Sequence, residues 1–370
     1  IAIDTVNHRL FVAENANRRV LVFNLDNSNN LIDHLPDNVI GQSTFFTNTS
    51  AVTQSGIASA QGLAYDSINN RLYVTDATNH RILVFDVSTI TDGMDASYVL
   101  GQADFTSNAS ATTQGGLNGA SRVTYDAVDD RLFVSDTSNN RVLVFDVSTI
   151  TNGMNAEYVL GQPDFTTGTA ATTQSKMSVP GLPVLDVATQ RLFVPEFSNN
   201  RVSVWDVDPD TIAGGSNAIN VLGQALFTTF AAATTQAGLS GPADASFDSV
   251  ANRLFVSGFN NHRVTVYDVA AITDGENAIN VLGQALFTTS AAATSQSATR
   301  TPAGQAYDSA NNRLYVVERD NNRVTEFDVT AITDGENAVD ALGQLDDNDQ
   351  PLYTKSGSDD GPNSRGMSAG

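Results

Sequence analysis

The chain has 370 residues, with 19 Lys+Arg against 41 Asp+Glu, a formal net charge of −22 and no cysteine. So acidic a surface repels phosphate backbones and anionic headgroups, which argues against a nucleic-acid partner and against direct membrane insertion. The missing thiols exclude disulfides, zinc–cysteine clusters and a cysteine nucleophile.

An apolar fraction of 41% with 16% charged residues belongs to a folded chain with a sizeable core. Lysine is scarce, Lys176 and Lys355 alone, and Thr, Ser, Asn and Ala are abundant; that balance points to an extracellular or cell-surface setting. No secretory or membrane-spanning run is visible, so export rests on composition.

In chain order, Ile1-Ala2-Ile3-Asp4 leads to Arg9-Leu10-Phe11-Val12, and the word Arg-Leu-aromatic-Val returns at Arg71, Arg131, Arg191, Arg253 and Arg313. The spacing is 60 or 62 residues throughout, so one module is written six times. The second copy shows it whole: Gly62-Leu63-Ala64-Tyr65-Asp66, then Arg71-Leu72-Tyr73-Val74, then Arg81 to Asp86, then Tyr98-Val99-Leu100-Gly101-Gln102. Four short apolar runs separated by turn residues predict four antiparallel strands. The third run, Ile82-Leu83-Val84-Phe85, is apolar at successive positions, as expected of a strand covered on both faces. Six such sheets predict an all-β, six-bladed β-propeller with four antiparallel strands per blade. An open solenoid would use shorter repeats and need polar caps.

The predicted organisation is six repeats over residues 1–344, with 345–370 closing the ring back onto blade one. Each internal junction from the Gln of Gly-Gln to the next first-strand Asp spans 24 residues, and the path from Gln344 through the C-terminus to Asp4 spans 30. The other reading is a fragment of a longer array.

The first strand with its Asp, then Arg-Leu-Tyr-Val-x-Asp, then Asn-x-Arg-Val-x-Val-aromatic-Asp, resembles the NHL repeat in all six modules. The phrase Val-Leu-Gly-Gln-Pro-Asp-Phe-Thr at 159–166, echoed at 99–106, is similar to a subtype of large secreted or surface-attached bacterial proteins. The resemblance implies a binding platform whose first strands line a central channel. Some similar propellers are lactonases with calcium or lyases with zinc, so the resemblance does not assign chemistry.

Internal symmetry separates scaffold from site. Residues present in every copy answer a demand each blade makes. The Asp series at 4, 66, 126, 186, 248 and 308 reads as turn-holding. Glu14, Asp76, Asp136, Glu196 and Glu318 read as partners of Arg19, Arg81, Arg141, Arg201 and Arg323. The Gln residues of the Gly-Gln pairs, and those twelve residues later, read as pins for the long connections. Of four histidines, His80 and His262 occupy one repeat position three blades apart and cannot share a metal; His8 lies in a hairpin turn and His34 in an outer loop. The acidic Thr-Asp-Gly loops lack the spaced carboxylates of a calcium loop. No catalytic residue, metal ligand set or cofactor is therefore predicted.

Residues that break the symmetry are the candidates for binding. After the Glu/Asp position the series runs Asn15, Ala77, Thr137, Phe197, Phe259, Arg319, with Gly258 replacing the acid in blade five. Arg122 and Asp244 stand out in the first-strand series. Phe197, Phe259, Arg319, Arg122 and Asp244 are predicted to rim an asymmetric binding surface. The competing reading packs the two Phe against neighbouring loops and pairs Arg122 with Asp244. The function expected is a non-enzymatic extracellular scaffold contacting a protein or glycan. The alternatives are a metal-assisted (calcium or zinc) lactone hydrolase or lyase, and a structural surface or filament subunit that self-assembles or attaches to further domains.

Overall fold

The computed structural model describes residues 1–33, 35–344 and 350–356. Among them, 24 strands form six four-stranded antiparallel sheets, each a meander with its strands side by side in chain order. The fold is a six-bladed β-propeller. Blade two is representative, with strands Ala60–Asp66, Arg71–Asp76, Arg81–Asp86 and Tyr98–Leu100. Blade five repeats it with Pro242–Asp248, Arg253–Gly258, Arg263–Asp268 and Asn280–Leu282. The chain divides into two compact units of three blades each: residues 1–171, 175–183 and 209–216, and residues 172–174, 184–208 and 217 onward.

Local chemistry sets the strand ends. In each blade the first hairpin turns through a left-handed residue before the repeat Arg: His8, Asn70, Asp130, Gln190, Asn252 and Asn312, with φ from 50 to 56°. Asn and Asp tolerate that region better than most side chains. The repeat Asp holds the same turn, as where Asp66 Oδ1 accepts the backbone N–H groups of Ile68 and Asn69 at 2.9 and 3.0 Å.

Within each unit the core lies between adjacent sheets. In the first, Phe11, Val20 and Ile40 of blade one meet Leu63, Leu72, Val74 and Phe85 of blade two. In the second, Phe193, Val204 and Leu222 meet Leu254, Val256 and Tyr267, and Phe255, Val264 and Val266 meet Leu314, Val316 and Phe327. Ile82 to Phe85 are fully buried, as their continuous apolar run predicts. Each such side chain contributes roughly 1.5–3 kcal/mol relative to exposure.

The ring-closing expectation for 345–370 falls largely outside the described residues, which omit 345–349 and 357–370. Residues 350–356 pack on blade six. Leu352 donates its N–H to the Gln344 carbonyl at 2.8 Å, and Arg323 Nη1 donates to the Tyr353 carbonyl at 2.9 Å. Tyr353 thus stands where Phe105, Phe165, Phe227 and Phe287 receive the corresponding arginines of other blades.

Candidate functional site

The repeated polar residues are absorbed by the scaffold. In blade two, Asp76 accepts from Arg81 Nε at 3.0 Å, Asn79 Nδ2 at 2.7 Å and the N–H groups of Ala58 and Ser59, each at 3.0 Å. The remaining Arg81 donors reach the carbonyls of Phe105, Thr53 and Gly56. Both members of the pair are buried completely. Such a pair is tolerated because every donor and every carboxylate oxygen is engaged. The Gly-Gln glutamines pin the long connections, as where Gln102 Nε2 donates to the carbonyls of His80 and Ala109. The later glutamines do likewise, Gln114 Nε2 donating to the Ala156 carbonyl at 2.9 Å.

Three of the five symmetry-breaking residues come together in the second unit. Phe197 and Phe259 meet edge to face, with ring centroids 5.9 Å apart and planes at 66°. The Arg319 guanidinium lies over the Phe259 ring, 4.5 Å from its centroid. Arg319 begins the short 3-10 turn Arg319–Asn321, and its side chain keeps 50% of its exposure. Its Nε donates to Asp320 Oδ1 at 3.0 Å, and Asp320 also lies 4.0 Å from Arg300 Nε. Both phenylalanines are half-buried. Gly241, at φ +57°, is needed there, because a Cβ would fall 3.1 Å from the Phe197 ring and 2.5 Å from Asn260 Nδ2.

The other two candidates sit elsewhere. Asp244, only 6% exposed, faces blade six: its Oδ1 accepts the Ala245 N–H at 2.9 Å and its Oδ2 the Gln305 N–H at 3.0 Å. Gln305 Nε2 in turn donates to the Phe255 carbonyl at 2.6 Å, so the carboxylate fastens neighbouring first strands. Arg122, in the first unit, is half-buried on the strand Ala120–Asp126, and its Nη1 makes a long 3.4 Å bond to the Ser121 carbonyl.

Residues 58–85 match the NHL repeat. The sequence has no match among curated proteins. A chain in the crystal structure of a nidogen/laminin complex is similar over 90% of this chain and 92% of its own length, at 16% identity and a TM-score of 0.54. A likeness at that identity speaks to the propeller fold.

Sequence reasoning left the two histidines of the repeat without a role. His80 Nδ1 accepts the Gly119 N–H at 2.9 Å and His262 Nδ1 accepts the Thr301 N–H at 3.0 Å, each fastening the lead-in of the next blade. Asn140 and Asn200 do the same through Oδ1, accepting from Val179 and Gly241 at 3.1 and 2.7 Å. The equivalence of His and Asn at this position was the available signal. Burial, aided by Arg300, lowers the His262 pKa, which favours the neutral ring this bond requires. His34 lies outside the described residues. Among those described, no three His, Asp or Glu side chains converge as a metal site would need, and no helix is long and apolar enough to cross a membrane.

Proposed function

We propose that the protein is a recognition propeller that binds a protein partner through the Phe197–Phe259–Arg319 surface of blades four to six, outside the cell or at its surface. The observation that carries this reading is the exposed Arg319 stacked on Phe259, with Phe197 closing the other edge. Aromatic and arginine side chains combine large contact area with directional polar groups and dominate binding energy in protein interfaces. Arg300 and Arg319 flank the single carboxylate of Asp320, which makes the spot locally cationic on a chain of net charge −22. It therefore favours a partner presenting acidic groups. The NHL match and the propeller neighbour, itself solved in a nidogen/laminin complex, support a protein-binding scaffold. The lysine-poor, Ser/Thr/Asn-rich composition supports the extracellular setting.

The test is binding of the immobilised propeller to candidate secreted and surface proteins, comparing wild type with F259A/R319A. Loss of two central anchors is expected to weaken the cognate interaction by at least about 30-fold, equivalent to roughly 2 kcal/mol. The control is F46A, which removes a fully exposed ring of blade one. Binding that survives F259A/R319A but falls with F46A would overturn the assignment.

A further inference from the structure

Blade five keeps a buried arginine but has lost the acid that accompanies it elsewhere. In blades two, three, four and six the Arg Nε donates to Asp76, Asp136, Glu196 and Glu318 at 3.0, 2.7, 2.8 and 2.9 Å. At the corresponding place blade five has Gly258. Arg263 nevertheless holds the same pose, fully buried, with Nη1 bonded to the Phe287 carbonyl and Nη2 to the carbonyls of Thr235 and Gly238 at 2.8 and 2.9 Å. Its Nε has no hydrogen-bond partner.

Other donors have lost the same acceptor. Asn79, Asn139, Asn199 and Asn321 each give one Nδ2 hydrogen to the acid, at 2.5–2.8 Å. Asn261 retains the bond to the Ala233 carbonyl at 2.9 Å but faces glycine where they face a carboxylate. The backbone N–H groups of Ala58, Asn118 and Arg300, 18 residues before their acids, donate to them; Ser240 holds that place in blade five. Thr325 Oγ1 bonds Glu318 at 3.0 Å, whereas its counterpart Thr265 turns its hydroxyl to the Val256 carbonyl in a long 3.5 Å bond. A side chain can be accommodated at Gly258: a built Cβ would make ordinary van der Waals contact, 3.5 Å from the Arg263 carbonyl oxygen and from Asn261 Cβ.

A buried guanidinium with an idle donor, ringed by donors that elsewhere grip a carboxylate, carries an uncompensated charge in a place shaped for an anion. We propose that blade five binds a small monoanion, a carboxylate of formate size or a halide, between Gly258 and Arg263 Nε. The anion stands in for the side chain that the other blades supply covalently.

Thermal unfolding tests this at a fixed ionic strength of about 0.1 M, at which screening is constant. Sodium sulfate, whose anion carries two charges and is bulkier than the proposed ligands, is exchanged for sodium formate or sodium bromide. The wild-type midpoint is expected to rise by about 2 °C for each tenfold increase in anion above its dissociation constant. G258D, whose backbone lies outside the left-handed region, should start from a higher midpoint in sulfate and lose the formate and bromide increments. A response to formate alone assigns a carboxylate, and one to bromide alone a halide. No response, or an equal response in G258D, overturns the proposal. If G258D does not fold, anomalous scattering from wild-type crystals in bromide decides: a peak beside Arg263 Nε supports the site, and water alone overturns it.

Discussion

His262 does in blade five what asparagine does in blades three and four, and the chemistry of the substitution makes its contribution depend on pH. Its Nδ1 accepts the Thr301 N–H, so the proton must sit on Nε2 and the ring must be neutral. Burial, reinforced by Arg300, holds the folded pKa below the usual 6.5. A depressed folded value means the contribution is complete above about pH 6.5 and is lost as pH falls through the folded pKa. H262N should therefore retain stability near neutrality and remove that slope, whereas H262A should cost about 1 kcal/mol at pH 7. Urea unfolding of the three proteins at pH 7.5 and pH 5 checks both outcomes.

Asp4 behaves as an acid of the opposite kind. Burial alone would raise its pKa, but the Asn7 backbone N–H, Arg9 and the Asn7 side chain outweigh it and lower the value to about 2. The support it gives is present above the unfolded value of 3.8 and disappears as pH falls towards about 2. A carboxyl carbon titration by NMR should find Asp4 among the most acidic side chains; a value near 4 would contradict the arrangement. The sequence showed the Asp series and its turn chemistry plainly. It could not show the histidine bond, because the partner is a backbone group 39 residues away in the next blade.

Each fourth strand in the representative blades has only three residues, and its outer edge is covered by a loop of the following blade. Asp92 Oδ1 accepts the Val39 N–H at 3.0 Å, Asn152 Oδ1 the Val99 N–H, Asp274 Oδ1 the Val221 N–H and Asp334 Oδ1 the Val281 N–H. A short strand with its free N–H capped is a poor template for pairing with another chain. D274A should cost about 1 kcal/mol and speed amide exchange at Val221, with little change at Val281. Equal protection at Val221 in wild type and D274A would show that the cap is idle.

The strands themselves were legible, because uninterrupted apolar runs and Asn/Asp turns are local signals. The caps were not. The loop Thr91-Asp92-Gly93 reads locally as a turn, and its second task appears only when blade two is stacked on blade one. The candidate site was partly legible for a related reason: departures from symmetry flagged Phe197, Phe259 and Arg319, which stack, and Asp244, which the fold uses as a clasp. Gly258 was visible as a break in the acid series, but only packing reveals that Arg263 stays buried beside it.

For the molecule as a whole, the charge of −22 is divided unequally between interior and surface. Arg81, Arg141, Arg201, Arg263 and Arg323 are all buried, and four of them are compensated by buried acids. The excess of negative charge therefore lies on exposed carboxylates such as Asp86, Asp104, Asp146, Asp164 and Asp268. Their mutual repulsion is screened over about 30 Å at 0.01 M salt and about 8 Å at 0.15 M, so the unfolding midpoint should rise over that range and then level off. G258D separates this surface effect from the interior one. It adds one further negative charge to an already acidic protein, and surface repulsion alone predicts a lower midpoint, most of all at low salt. Local compensation of Arg263 predicts the reverse, a higher midpoint than wild type at 0.01 M salt, because a buried pair is screened little by ions that cannot reach it. Midpoints of wild type and G258D over that range of salt, added as sodium sulfate, read out the sign directly, and a lower value for G258D throughout would mean that the field of the whole surface outweighs the unpaired arginine.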